Sequence, residues 1–199
     1  MPKGFTEKEK ELIIEKLHKE GTRLFAQYGV RKTTVDEIAG ASGISKGSFY
    51  SFFDSKEELF FDILDRMDKI SKKKMDEGFP VKGKTYKESM KKFLSGIFEF
   101  IEETALLKKI NPSELEQILR KLPEERIAGH LSNDNKYLTA FYEHWAKKDV
   151  FRKNNPIAFA GLVKILFYFN LHKNEFDAEE FDATRELLIN MISEFLVKE

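Results

Sequence analysis

Apolar residues recur at intervals of three and four along nearly the whole chain, which is the spacing of amphipathic helices. The clearest stripes are Leu17, Leu24, Phe25 and Tyr28; Leu59, Phe60, Ile63, Leu64, Met67 and Ile70; Met90, Phe93, Leu94, Ile97, Phe98 and Ile101; Tyr137, Leu138, Phe141, Tyr142 and Trp145; and Leu187, Leu188, Met191, Ile192, Phe195 and Leu196. No segment alternates as a strand does. The pattern predicts an all-α protein of about nine helices.

Polar residues mark where several of these helices begin. Thr34 with Glu37 three residues later predicts a capping box at the start of the second helix, and Ser55 with Glu58 predicts another at the fourth. Ser45 is a favourable N-cap for a short third helix. Residues 124–131 carry no clear pattern, and we leave their structure open.

The stretch PIAFAGLVKILFYFNL, residues 156–171, is apolar on every side except at Lys164 and its ends. It is shorter than the roughly 20 residues of a membrane span, so it should be a buried helix. In a chain of this size one face can pack on its own core and the other needs a partner. Together with a helix over 181–197, it predicts a homodimer joined by a four-helix bundle across a two-fold axis. The candidate interface residues are Phe159, Leu162, Val163, Leu166, Phe167, Leu188, Met191, Ile192 and Phe195.

Composition narrows the possible functions. The 199 residues are 41% hydrophobic, enough for one ordinary domain or a small domain joined to a larger one. Because 34 basic residues balance 34 acidic ones, any anion-binding surface must come from arrangement and not from bulk charge. The chain has no Cys, which excludes disulfides, and its N-terminus lacks the apolar segment of a secretory signal. We expect a soluble, cytoplasmic protein without membrane association.

Signs of catalysis or metal binding are missing from the sequence. His18, His130, His144 and His172 do not have the spacing of metal ligands on one helix. No Gly-rich phosphate loop and no nucleophile–base pair is suggested. We therefore expect no metal, no cofactor and no enzymatic activity.

The aromatic stripes are compatible with two interpretations, a filled core or the lining of a pocket. Small-molecule sites are mostly apolar and aromatic with a few polar groups, which Tyr142, Trp145 and His172 could supply. The candidate pocket residues are Phe93, Ile97, Phe98, Ile101, Phe141, Tyr142, Trp145, Phe169 and His172.

The segment TTVDEIAGASGISKGSFYSFF, residues 33–53, predicts two short helices joined by a tight turn that contains glycine. This is the helix-turn-helix pattern, in which the start of the second helix lies nearest the bases of DNA. Gly47 costs roughly 1 kcal/mol relative to Ala inside a helix, which makes sense if the backbone approaches DNA closely. Lys46, Ser48, Ser51 and Tyr50 offer hydrogen-bonding groups, whereas Phe49 and Phe53 should face the core. The alternative is an ordinary helical hairpin.

Residues 12–60 resemble the DNA-binding domain of the TetR family of bacterial transcriptional regulators. Spacing and residue type agree over residues 33–60, and the matching positions are Ile38, Ala39, Ala41, Gly43, Ile44, Ser45, Gly47, Tyr50, Phe53, Lys56 and Leu59. The rest of the chain resembles the family only in being helical and of suitable length.

The resemblance implies roles for individual residues. Thr34 would donate to a phosphate, and Lys56 would meet another together with the amides at the start of the fourth helix. Many relatives have His or Tyr where this chain has Phe52, so either a phosphate contact is missing or Phe52 packs on a sugar or a thymine methyl. The candidate DNA-binding residues are Thr34, Ser45, Lys46, Gly47, Ser48, Tyr50, Ser51, Phe52 and Lys56.

The function implied is a dimeric, ligand-responsive regulator, most simply a repressor that a small apolar or amphipathic molecule releases from an inverted-repeat operator on double-stranded DNA. Residues 1–54 would form the helix-turn-helix domain, and residues 55–199 the ligand-binding and dimerisation domain. The ligand would shift the fourth helix and change the separation of the two recognition helices. Two alternatives remain open at this point: a DNA-binding regulator without a small-molecule ligand, and a helical binding module that has lost DNA binding.

Overall fold

The computed structural model describes residues 5–110, 112–152 and 155–198, and within them the chain is helical without a sheet. The all-α prediction is confirmed. The helices are α1 (Glu7–Tyr28), α2 (Val35–Ser42), α3 (Lys46–Phe49), α4 (Lys56–Gly78), α5 (Tyr86–Glu103), α6 (Ala105–Lys109), α7 (Pro112–Leu119), α8 (Glu124–Ala146), α9 (Pro156–Leu171) and α10 (Ala178–Leu196). A 3₁₀ turn, Lys173–Glu175, precedes α10.

Within the described residues the structure has one helix more than the sequence predicts, and it extends another helix into a segment without a readable stripe. Helix α6 has five residues, too few to establish a period. Helix α8 begins at Glu124, and its buried residues Leu138, Phe141 and Tyr142 all lie in the second half. Residues 124–131 therefore form an exposed or half-buried start of a helix whose apolar face begins only later.

The chain divides into two compact units. The first contains the residues up to Asp68 together with Ser113–Leu122, and the second contains Lys69–Pro112 and the residues from Pro123 onward. Helix α4 contributes residues to both. The domain boundary at residues 54–55 that the sequence suggests stays a prediction.

The first unit has a core built around α1 and α4. Leu17, Ile38, Phe49, Leu59 and Phe60 are fully buried in it. Tyr28, which the sequence pattern assigns to the inner stripe of α1, is instead exposed as the last residue of that helix.

Helices α1 and α4 approach each other closely at Gly21. A Cβ atom at this position would lie 3.0 Å from a methyl carbon of Leu59, so a larger residue would require the Leu59 side chain to shift. Nearby, Nε2 of His18 lies 2.7 Å from a carboxylate oxygen of Asp62. The two helices are thus held by close packing and by a polar contact on its flank.

Helix α7 belongs to the first unit although the residues on either side of it in the sequence belong to the second. Ile118 and Leu122 are buried there. The Lys121 ammonium lies 2.7 Å from the carboxylate of Glu57, a side chain that is itself buried at the start of α4. A buried carboxylate is costly without a cationic partner. Lys121 therefore holds α7 against α4.

The second unit has a core of aromatic rings packed on one another. Phe93 stacks on Phe141 with 4.7 Å between ring centroids, and Tyr142 stacks on Phe151 at 4.5 Å. Phe159 packs against both pairs and is fully buried. Offset and edge contacts of this kind add to the energy of burying the rings.

The described part of the chain contains no helix with both the length and the apolar content that a membrane crossing requires.

Candidate nucleic-acid interface

Two helices and a tight turn form the site. Helix α2 ends at Gly43, which has φ 74° and ψ 28°, a left-handed conformation that glycine adopts without strain. The Gly43 amide donates to Ala39 and Gly40, and the Ile44 amide also donates to Ala39. Ser45 then caps α3 by accepting a hydrogen bond from the Ser48 amide. Three residues, 43–45, thus join the two helices in a tight turn, as the sequence pattern predicts.

Helix α3 presents one face to solvent and the other to the core. Lys46, Gly47 and Tyr50 are exposed, whereas Phe49 is fully buried. Phe53, which follows the helix, is half-buried against the ring of Phe49. The exposed face holds a cation and a bare backbone position at the start of α3, and a phenol hydroxyl at its C-cap.

Gly47 has room for a side chain in the folded protein. A Cβ atom there would lie 3.8 Å from the Ser45 hydroxyl, an ordinary van der Waals contact, and the backbone is helical. Neither packing nor a left-handed backbone therefore requires glycine at this position. The described part of the fold thus gives no reason of its own for glycine here.

Lys46 is paired with an acidic residue that the sequence analysis did not single out. Its ammonium lies 2.8 Å from the carboxylate of Asp36 on α2, and both side chains are exposed. The pKa of Lys46 is raised by the hydrogen bond to Asp36 and by the charge of that carboxylate, so the ammonium stays cationic. The pair connects the two helices of the motif across its outer face.

Thr34 forms the predicted capping box with Glu37, which is confirmed. Its hydroxyl oxygen accepts from the Glu37 amide at 3.2 Å, and the Glu37 carboxylate accepts from the Thr34 amide and hydroxyl, each at 2.8 Å. These two donors hold the pKa of Glu37 below its usual range. The hydroxyl proton that a phosphate would need is thus already donated inside the chain.

Lys56 also has partners within its own unit. Its ammonium donates to the carbonyl of Thr33 at 2.7 Å and to that of Arg31 at 3.1 Å. Burial lowers the pKa of Lys56 from its ordinary value. The contacts hold the chain that leads into α2 against the start of α4. One of the three ammonium hydrogens remains for another acceptor.

The other predicted DNA-binding residues lie close by. The hydroxyls of Ser45 and Ser48 are 2.9 Å apart, and Ser51 is exposed. Phe52 is half-buried, with its ring centroid 5.7 Å from that of Phe5. The structure therefore brings all nine predicted residues to α2, α3, the start of α4 and the turns between them.

Arg31 and Lys32 are exposed immediately before the buried Thr33, and they are not among the predicted DNA-binding residues. The sequence could have indicated them, because two consecutive cations lie beside a helix N-terminus, where anions such as phosphate bind. They add positive charge beside the site, where Asp36 and Glu37 place negative charge.

The residues predicted to line a ligand pocket are mostly packed in the second unit's core. Ile97, Phe98, Ile101, Phe141 and Tyr142 are buried, and Phe98, Phe169 and Phe181 pack ring against ring. The Tyr142 hydroxyl donates to the Arg152 carbonyl. Trp145 packs its ring on Phe79, and the half-buried His172 pairs with Glu175. A cavity of about 250 Å³ lies between α4 and α5, and among the nine residues Phe93 borders it.

The predicted interface residues divide between core and surface. Phe159, Val163, Leu166 and Ile192 are buried in the second unit itself and do not reach its surface. Leu162, Phe167 and Leu188 are half-buried, whereas Met191 and Phe195 are exposed. Further large apolar residues that the prediction omitted are exposed on the same two helices: Ile157, Ile165, Tyr168 and Leu187.

The helix-turn-helix region matches a known protein family. Residues 18–63 match the profile of "bacterial regulatory proteins, tetR family". The match covers α2, α3 and the adjoining parts of α1 and α4, which are the elements that form the site.

Curated relatives share the same end of the chain. The uncharacterised HTH-type transcriptional regulator YhgD of Bacillus subtilis is 36% identical over 101 residues, 51% of this chain and 50% of that protein. YuxN of Bacillus subtilis, also an HTH-type transcriptional regulator, is 35% identical over 136 residues, 64% of this chain and 44% of that protein. The HTH-type transcriptional repressor KstR2 of Rhodococcus jostii is 56% identical over 41 residues, 21% of this chain and 20% of that protein. The chain thus spans half or less of the length of these relatives.

Solved structures share the fold of the whole chain. A TetR-family transcriptional regulator from Pectobacterium atrosepticum has a TM-score of 0.74 at 15% identity, covering 98% of this chain and 99% of that one. SmeT, the repressor of the Stenotrophomonas maltophilia multidrug efflux pump SmeDEF, has a TM-score of 0.63 at 18% identity, covering 94% and 91%. The N-terminal helix-turn-helix domain of this chain, residues 18–63, is therefore similar to that of the tetR family of bacterial regulatory proteins.

Proposed function

We propose that the protein is a DNA-binding transcriptional regulator that acts as a dimer in the cytoplasm. The observation that carries the proposal is the exposed face of α3, which has Lys46 and Gly47 at its N-terminus and Tyr50 at its C-cap. A recognition helix contacts base edges through residues near its N-terminus. Gly47 supports this reading, because nothing inside the folded chain requires a glycine there.

Docking on DNA replaces contacts that the free protein makes with itself. Lys46 leaves Asp36 for a base acceptor in the major groove, the Gly47 backbone lies near the duplex, and Tyr50 offers its hydroxyl. Arg31, Lys32 and the third hydrogen of Lys56 meet phosphates, which position the protein without reading sequence. The other two hydrogens of Lys56 stay bonded to the Thr33 and Arg31 carbonyls. They hold the chain before α2 against the start of α4 while DNA is bound.

The dimer forms through the outward apolar faces of α9 and α10. These faces carry six exposed large apolar residues: Ile157, Ile165 and Tyr168 on α9, and Leu187, Met191 and Phe195 on α10. Exposed apolar surface of this extent is unfavourable for a monomer in water. A two-fold dimer presents two recognition helices related by the same axis, so the operator is an inverted repeat.

The proposal includes that the protein represses transcription and that a small molecule regulates it. KstR2 and SmeT are named as repressors, which supports the same role for this chain. A small molecule that binds in the second unit releases the operator by moving α4. The second candidate is a regulator without such a ligand, which the filled aromatic core favours; the separate cavity beside α4 favours a ligand.

Selection of bound sequences from a random DNA pool tests the proposal directly. We expect an enriched inverted repeat. Binding to that repeat should then be titrated for Tyr50→Ala and for the control Tyr28→Ala, since the two tyrosines are 49% and 50% exposed. Tyr50→Ala should weaken binding roughly fivefold or more, and Tyr28→Ala should leave it unchanged. Failure to enrich any sequence, even at low salt, would contradict the proposal.

A further inference from the structure

The cavity between the C-terminal half of α4 and α5 is an apolar cleft that opens to solvent. Its inner side is formed by Met75, Phe79, Phe93 and Phe100, which are buried or half-buried. Its volume is about 250 Å³, somewhat below the usual range for sites that take drug-sized ligands. A site of this size suits a small organic molecule that is bound along one side.

Gly96 holds the middle of this cleft open. It lies inside α5, where glycine costs about 0.5–1 kcal/mol relative to Ala. Among the described residues, a Cβ atom added there would meet no atom within 4 Å, and the backbone is helical. Since neither a close neighbour nor an unusual backbone requires glycine, the missing side chain has one structural effect: it leaves empty space in the cleft.

The rim of the cleft carries charges of both signs. Lys74 and Lys92 balance Glu99 and Glu103, and all four side chains are exposed. This balance gives the opening no net charge, so it favours neither an anion nor a cation. The attraction for a ligand must come from the apolar inner side.

We propose that the α4–α5 cleft binds an uncharged, largely apolar organic molecule, and that Gly96 determines whether the molecule fits. The inference deepens the proposed function and rests on it, because such a molecule would be the ligand that moves α4. It contacts α4 at Met75 and enters from the solvent side. The aromatic core around Phe141 and Phe159 has no part in binding, since its rings already fill it.

The test compares two glycines with the uncharged dye N-phenyl-1-naphthylamine, whose fluorescence rises in apolar surroundings. Gly96→Leu should weaken dye binding by at least tenfold because the leucine occupies the cleft. Gly129→Leu is the matched control, since Gly129 also lies inside a helix with nothing within 4 Å of its added Cβ and does not border the cavity. Gly129→Leu should bind dye as the unmodified protein does. Equal binding by Gly96→Leu and Gly129→Leu would overturn the site.

The anionic relative of the dye, 8-anilino-1-naphthalenesulfonate, tests the chemical class. We expect it to bind the cleft less tightly than the uncharged dye; tighter binding that Gly96→Leu abolishes would overturn the assignment of an uncharged ligand. Operator binding without dye separates this inference from the proposed function. Gly96→Leu should bind the selected operator normally and resist release by the uncharged dye. A protein that binds dye in the cleft but binds no DNA would contradict the proposed function alone.

Discussion

The Lys46 ammonium lies 2.8 Å from the Asp36 carboxylate on the outer face of the motif, so contact with a base competes with this ion pair. Asp36 also places a negative charge beside the phosphates of a bound duplex. Asp36→Asn should therefore raise operator affinity by about two- to fivefold at moderate salt. The measurement is a fluorescence-anisotropy titration with the selected operator.

The same substitution in a Lys46→Ala background provides the control. Lys46→Ala alone should weaken binding roughly five- to a hundredfold if the lysine reads a base. In that background Asp36→Asn should give a smaller gain, since no ammonium remains to be released. An equal gain with and without Lys46 would show that Asp36 acts only through its charge on the phosphates.

Lys56 differs from the other basic residues at the site because it supports the fold. Lys56→Met removes two charge-assisted hydrogen bonds and leaves the Thr33 and Arg31 carbonyls to find other partners. We expect the free energy of unfolding to fall by about 1–3 kcal/mol, measured in urea. The matched variant Lys32→Met should leave stability unchanged, because Lys32 is exposed.

Salt dependence distinguishes support of the fold from contact with phosphate. Lys32→Met should reduce the slope of log affinity against log salt by about one. Lys56→Met should do the same if its third hydrogen meets a phosphate. A stable Lys56→Met protein with an altered slope would identify Lys56 as a phosphate contact without a supporting role.

At the residue scale the sequence predicted which side chains gather at the site but not their contacts with one another. Thr34 and Glu37 are three residues apart on one helix, so their contact follows from helical spacing alone. Asp36 and Lys46 are ten residues apart and meet only because Gly43 turns the chain. The direction of that turn determines the pair, and no periodicity in the sequence reports it.

At the scale of single helices, three capping boxes share one dependence on pH. Glu9, Glu37 and Glu88 each accept hydrogen bonds from the threonine that begins α1, α2 or α5, and these bonds lower the pKa of each carboxyl. The folded-state pKa thus lies below the unfolded value of about 4.3. Their contribution to stability is therefore complete above about pH 5 and is lost as pH falls through the folded-state pKa.

Replacement of the three glutamates by glutamine should make stability less sensitive to pH between about 5 and 3. Glutamine keeps an acceptor oxygen but does not titrate in this range, so the boxes remain while their pH dependence disappears. Urea denaturation at several pH values gives the comparison. An unchanged acid dependence in the triple variant would assign acid sensitivity to other carboxylates.

The boxes at Thr6 and Thr85 could have been predicted, because both follow the Thr-x-x-Glu pattern that identified Thr34.

The cleft between α4 and α5 could not be predicted from the sequence. The apolar stripe of α5 indicates which face is buried, but not whether neighbouring rings fill the space beside it. Phe93 meets Phe141 on one side and the cleft on another. Such a difference depends on how side chains from several helices interlock.

At the scale of the whole molecule, the position of α7 could not be predicted from the sequence. Its pattern predicts a short amphipathic helix, and the structure has one at Pro112–Leu119. Its attachment to the first unit depends on Lys121 meeting the buried Glu57, 64 positions earlier in the chain. Pairing between distant residues is a property of the folded chain, and a single sequence carries no record of it.

Helix α9 shows both what apolar periodicity predicts and where it stops. The sequence indicates two apolar faces, and the structure has both: Leu166 is fully buried and its neighbour Ile165 is 58% exposed. Because residues on both faces are apolar, the pattern cannot say which of them turns inward. The contacts of Leu166 with its own core settle the direction, and they leave Ile165 on the side proposed for the partner.

These adjacent residues provide the decisive test of the dimer. Leu166→Lys should unfold the second unit, because a charge cannot be accommodated in a packed core. Ile165→Lys should give a folded monomer, detected by sedimentation velocity together with an unchanged helical circular dichroism spectrum. That monomer should lose tight operator binding although α2 and α3 are untouched, since one recognition helix makes too few contacts and two half-sites on one duplex reinforce each other. A dimeric Ile165→Lys protein with normal operator affinity would place the subunit interface elsewhere. A monomeric unmodified protein that binds a site without symmetry would contradict the dimer itself.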